Sequence, residues 1–122
     1  MSYLFVFIGG GLGAISRFLL AKLLATPNTH FPWATFTANV IACIIMGFLF
    51  SVLSDKTDNK YYLLLVTGYC GGFSTFSSFT AENLELLQSG HAALALLYSF
   101  LSVIICLLAI FVGYKFGNIG LS

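Results

Sequence analysis

Residues 68–82 read Gly-Tyr-Cys-Gly-Gly-Phe-Ser-Thr-Phe-Ser-Ser-Phe-Thr-Ala-Glu, a polar, glycine-rich stretch set inside an otherwise apolar segment. Gly71-Gly72 is a poor helix interior, because each glycine costs about 1 kcal/mol relative to alanine. Five hydroxyl residues, Ser74, Thr75, Ser77, Ser78 and Thr80, follow at once. The pattern predicts a helix broken at Gly71-Gly72. A break at membrane depth frees backbone carbonyls, which are tolerated only where protein or an ion satisfies them. Such carbonyls suit a hard cation. Phe73, Phe76 and Phe79 recur every three residues on one side of the same stretch. They read either as ordinary packing or, through their partly positive ring edges and the neighbouring hydroxyls, as the lining of a path for a small anion.

Composition makes lipid the solvent for the rest. The chain has 122 residues, 59% hydrophobic and 7% charged, where an average soluble domain is about 25% charged. Four windows reach the length of about 20 apolar residues that a spanning helix needs: 3–24, 33–53, 61–87 and 92–116. Together they predict one all-α membrane domain over 1–122. No basic residue precedes the first run and no cleavage-like site followed by a soluble domain comes after it, so it reads as a retained span. Short connectors at 27–32, 54–60 and 88–91 predict sequential helices packed as antiparallel neighbours. Trp33, Tyr61, Tyr62, Tyr3 and Tyr114 fall near span ends, the depth amphipathic rings favour.

Topology is weakly encoded. Lys56, Lys60 and Lys115 fall on the side of the termini, and Lys22, with Arg17 inside the first span, on the other. So slight a bias permits insertion in both directions. Four helices enclose almost no lumen, so a homo-oligomer is expected, with an antiparallel dimer a serious candidate. Gly9 and Gly13, Gly68 and Gly72, and Gly113 and Gly117 have the spacing of close helix packing in lipid. The glycine run 9–13 has no preceding strand, so it is no nucleotide loop.

Ionisable and amide groups inside spans are costly, about 2.5–3.5 kcal/mol for a charge, and mark candidate sites. Arg17 either snorkels to the interface or lines a water-filled vestibule that attracts anions. Asn39 either joins helices or donates its amide to a pore. Glu82 continues the polar face of the third span, while His30 and His91 fall in connectors. Cys43, Cys70 and Cys106 are isolated in apolar runs and read as small buried hydrophobes. Net charge is +1 with no basic stripe, which argues against nucleic acid. No nucleophile–base set or metal cluster points to an enzyme.

The segment 68–79, with Arg17 late in the first span, Asn39 early in the second, four spans and short length, resembles the Fluc (CrcB-like) fluoride channels over essentially the whole chain. The resemblance implies an antiparallel, dual-topology homodimer in the cell inner (plasma) membrane. Two pores would export cytoplasmic fluoride passively, after HF enters as a weak acid and dissociates. It implies a structural Na⁺ at the dimer centre on the backbone carbonyls of Gly71 and Ser74. The family usually has threonine at the latter position, a change that a backbone ligand survives. Phe76, Phe79 and Asn39 would line the pore, with Ser77, Ser78 and Thr80 as a hydroxyl track and Glu82 at its outer end. Arg17 would stand in the vestibule. Tyr98 and Ser102 are the candidates from the fourth span, with Cys106 one turn further on. A small multidrug-type exporter shares the length and span number, but its carboxylate deep in the first helix is missing here. An accessory subunit of a larger membrane complex would explain the size but not the hydroxyl and phenylalanine pattern.

Overall fold

The computed structural model describes residues 1–24, 31–53 and 60–121; the expectations for His30 and Lys56, and most of the connector at 54–60, lie outside them. The described residues are helical, with no strand among them. Helix α1 spans Ser2–Leu23 and α2 spans Trp33–Val52. Pro32 precedes α2 with φ −80°, close to helical, so its ring sets the chain for the first turn. Helix α3 is continuous but composite: Lys60–Tyr62, then Leu63–Cys70 with wide π-type turns, then Gly71–Phe73. Such turns are rare and concentrate at functional sites. Helix α4 spans Ser77–Gln88 and α5 spans Ala92–Leu121, which runs past the expected end at 116. Helices α1, α2 and α5 are each long and apolar enough to cross a membrane.

The interruption in the third segment falls at Ser74, not at the glycine pair. Gly71 is helical at φ −62° and ψ −36°, and the chain leaves the helix at Ser74 with ψ 156°. The glycines serve contact instead. A methyl group added at Gly72 would collide with the Gly10 carbonyl oxygen and stand 3.0 Å from Gly10 Cα. One added at Gly13 would collide with Tyr69 O and stand 2.7 Å from Phe73 N. The missing Cβ atoms let α1 and α3 approach backbone to backbone, which in lipid is a main source of helix association.

The closest packing joins alternate helices, not sequential ones as the short connectors predict. Gly9 faces Gly68 and Gly13 faces Gly72, so α1 and α3 run parallel. Helices α2 and α5 pair most extensively of all. Gly47 meets Ile110, Gly113 meets Ile44 and Gly117 meets Ser51, again in parallel register. Side-chain complementarity of the small residues outweighs connector length, since a short loop limits distance and not contact area. Three modest clusters fill the seams: Ala38, Ala42 and Phe73; Leu49, Val66 and Cys70; Leu86, Ala95 and Tyr98. Large apolar side chains such as Phe7, Phe100 and Phe116 point outward, as lipid allows.

Between α4 and α5 the turn is closed by Gly90 at φ +84°. His91 N–H donates to Leu86 O at 2.8 Å and Gly90 N–H to Leu87 O at 3.3 Å. This double cap needs a left-handed residue, which glycine adopts at least cost.

Candidate ion pathway at the helix break

The break is held open by side chains that take over backbone partners. Thr75 N–H donates to Asn39 Oδ1 at 2.8 Å, and Asn39 Nδ2 donates back to Thr75 O at 3.2 Å. Ser78 N–H donates to Thr75 Oγ1 at 3.1 Å, which satisfies an orphan donor at the start of α4. An unbroken helix would direct Thr75 N–H to Gly71 O and Ser78 N–H to Ser74 O. Both donors are diverted. Gly72 O, which also loses its helical donor, accepts from Arg17 Nε at 3.3 Å instead. Ser74 turns its own hydroxyl back onto Cys70 O at 2.7 Å.

Two cavities flank this break. The first, about 280 Å³, is lined by Asn39, Cys43, Ser74, Thr75, Phe76, Phe79, Ser102, Val103 and Cys106. It has no carboxylate or histidine in its wall. Asn39 Nδ2 has a second hydrogen beyond the one given to Thr75. Ser102 is 7% exposed, and its hydroxyl has no partner among the described residues. Such groups are normally satisfied, so an orphan one asks for a ligand or a water. Phe76, 76% exposed, and Phe79 stand with ring centroids 5.7 Å apart and planes tilted by 33°. One face of the cavity is therefore aromatic and the other carries neutral hydrogen-bond donors.

The second cavity, about 320 Å³, is lined by residues that include Arg17, Thr35, Ser78 and Glu82. Arg17 and Glu82 share this space without an ion pair between them among the described residues. Glu82 is instead clamped by neutral donors: Thr35 Oγ1 to Oε2 at 2.8 Å and Tyr98 OH to Oε1 at 3.1 Å. Arg17 lines the cavity, and its Nε donates to Gly72 O. Thr35 and Asn39 lie one turn apart on α2, as do Ser74 and Ser78 in sequence, so the cavities succeed one another along one face.

Not every expected residue joins this arrangement. Tyr98 is fully buried and lines neither cavity. It acts through its hydroxyl on Glu82 and through its ring, 5.0 Å from that of Phe79. Thr80 points to a separate groove shared with Asn83 and Ser99, and its hydroxyl donates to Ser77 O at 2.9 Å. Ser77 is exposed, 3.4 Å from Thr75 Oγ1 across a hydroxyl pair. Sequence reasoning passed over Thr35 and Cys43 as site residues. Their signal was spacing, since Thr35, Asn39 and Cys43 recur every four residues on one stripe of α2.

These features define a multi-pass membrane protein whose cavities, mostly apolar with a few polar groups, gather around a broken helix. Residues 4–114 match the model of the family described as CrcB-like protein, Camphor Resistance (CrcB). The chain belongs to that family. It is 40% identical over 112 residues to the fluoride-specific ion channel FluC of Flavobacterium psychrophilum, covering 89% of this chain and 90% of that relative. It is 43% identical over 115 residues to the protein of the same description from Francisella philomiragia, covering 89% and 88%. The Bacteroides fragilis relative, again described as FluC, is 35% identical over 94% of each chain. These relatives are channels and not enzymes, and they place this chain with bacterial multi-pass proteins of the plasma membrane.

Proposed function

We propose that the protein is a fluoride channel, exporting the anion passively along the two cavities beside the helix break. The observation that carries this reading is the first cavity, where unspent donors on Asn39 and Ser102 face Phe76 and Phe79 with no acidic group in the wall. Fluoride holds its water tightly, so a path must replace that shell with donors, and the amide, the hydroxyl and the ring edges are what this wall offers. Chloride, larger and less strongly hydrated, gains less from the same donors. Arg17 concentrates anions at the entrance, where no carboxylate among the described residues pairs with it to cancel its charge. Glu82 marks the outer end, held by Thr35 and Tyr98. Ser78 lines the second cavity beside them, whereas Ser77 and Thr80 contribute to the fold of α4 and less to the path.

The working unit in this reading is an antiparallel homodimer with one path per copy and a sodium ion between the copies. The donor set fits such an ion: Gly71 and Ser74 present carbonyl oxygens whose helical donors have been taken by Asn39 and Thr75. Carbonyl oxygens are the ligands a hard cation prefers. Two from each copy would make four. Bound there, sodium would tie two copies together and neutralise the carbonyl dipoles.

The test is efflux from liposomes holding the purified protein and loaded with fluoride or with chloride. Rapid fluoride release with chloride retained is the expected result. Folded protein that releases no fluoride would overturn the reading.

A further inference from the structure

The cavity beside the break ends on two thiols. Cys43 of α2 and Cys106 of α5 both line it. Two stripes in parallel register bring them together. Thr35, Asn39 and Cys43 follow one another by one turn on α2, and Tyr98, Ser102 and Cys106 do so on α5. Glycine contacts lock that register, Gly47 on Ile110 and Gly113 on Ile44. Both thiols are half-buried and reachable from the cavity, whereas Cys70 is fully buried outside it.

We infer that Cys43 and Cys106 form a dithiol site for a soft, two-coordinate divalent cation of the mercury(II) type, and that its occupation closes the cavity. The second clause rests on the channel reading given above; the first does not. Thiols select soft metals, and the wall holds no carboxylate or imidazole to attract a hard one. As each metal–sulfur bond forms, its thiol proton and the chloride that it displaces from mercuric chloride both leave for solvent. Two thiolates and one dipositive ion sum to zero charge, so the complex leaves no net charge in an apolar cavity, where a charge is expensive. The second sulfur binds intramolecularly, since both thiols already line one cavity.

The experiment titrates the reduced, purified dimer with mercuric chloride. It reads bound metal per chain by native mass spectrometry, thiol protection by alkylation, and fluoride efflux from liposomes. Wild type and Cys70→Ala should bind one mercury per chain and shield two thiols. Cys43→Ala and Cys106→Ala should each bind about 100-fold more weakly, having lost the second ligand. Cys43→Ser, nearly isosteric, should behave like Cys43→Ala and guards against a packing defect. Metal should block efflux in wild type and in Cys70→Ala, whereas the Cys43 and Cys106 variants, each read against its own metal-free rate, should lose no further efflux on adding metal. Equal affinity in wild type and Cys43→Ser, or protection of Cys70 instead, would overturn the site. Stoichiometric binding that leaves a working efflux untouched would overturn the closure. Binding by a protein that releases no fluoride even without metal would leave the dithiol standing and sink the channel reading alone.

Discussion

Asn39 and Thr75 close a two-bond ring across the seam between α2 and the break, the amide of one acting as a surrogate peptide group for the other. One side chain thus keeps the backbone open and presents a spare donor to the cavity. Asn39→Asp keeps the acceptor for Thr75 N–H but removes both donors and adds a negative charge. Losing a donor of this kind costs about 1–3 kcal/mol, so fluoride efflux should fall roughly ten- to hundredfold. Size-exclusion chromatography should still find the assembled protein. Efflux at the wild-type rate would show that the anion does not pass Asn39.

Phe76 offers a cleaner separation of stability from transport. Its side chain is largely exposed within one chain, so Phe76→Ile should change the stability of the single chain by no more than about 0.5 kcal/mol. Efflux should nonetheless drop by about tenfold, because the ring edge is lost with its partly positive hydrogens. Thermal melting in detergent and liposome efflux, run on the same preparation, decide the matter. Parallel losses in both would make Phe76 a packing residue.

Glycines of α1 and α3 should divide sharply by position. Gly72→Ala sets a methyl against the Gly10 backbone, which cannot give way as a side chain would. A cost of about 1–3 kcal/mol is expected for such overpacking. Gly11 has open space around the same point, so Gly11→Ala should be neutral or stabilise by up to about 1 kcal/mol. Denaturant or thermal unfolding of the pair measures the contrast.

The clamp on Glu82 is testable by a double-mutant cycle. Thr35→Val and Tyr98→Phe each delete one donor while keeping shape. Each should cost about 1–3 kcal/mol with Glu82 present and clearly less in a Glu82→Gln background. Additive losses would mean that the two hydroxyls serve something other than the carboxylate.

Sodium removal addresses the dimer. If carbonyls of Gly71 and Ser74 hold the ion between copies, replacing sodium with a bulky organic cation should shift purified protein from dimer towards monomer. Light scattering coupled to chromatography reads this directly. Dimers unaffected by exhaustive sodium removal would put the ion elsewhere or exclude it.

Much of this architecture was legible in the sequence, but not the cause of the break. Three of the four expected spans, α1, α2 and α5, have the apolar length that the sequence implies, and the glycines and hydroxyls of the third set it apart. The glycines misled on position: they read as helix breakers, yet in lipid their lack of a Cβ is spent on contact with Gly10 and Tyr69. The actual breaker is Asn39, far away in sequence, whose amide competes for Thr75. No local pattern encodes such a competition. The pairing of alternate helices was hidden for a similar reason. Connector length sets which helices are near, whereas complementary surfaces such as Gly47 on Ile110 set which ones touch. Cys43 reads in sequence as an isolated thiol because Cys106 lies on another helix, and only parallel register brings both to one cavity.

The orphan hydroxyl of Ser102 has an implication of its own. A buried hydroxyl that finds no partner among the described residues lowers stability by about 1–3 kcal/mol wherever nothing else satisfies it. Ser102→Ala should therefore melt at a higher temperature than wild type while conducting less well. On the channel reading, function and folding pull this one atom in opposite directions, as expected where a group is kept ready for a visitor.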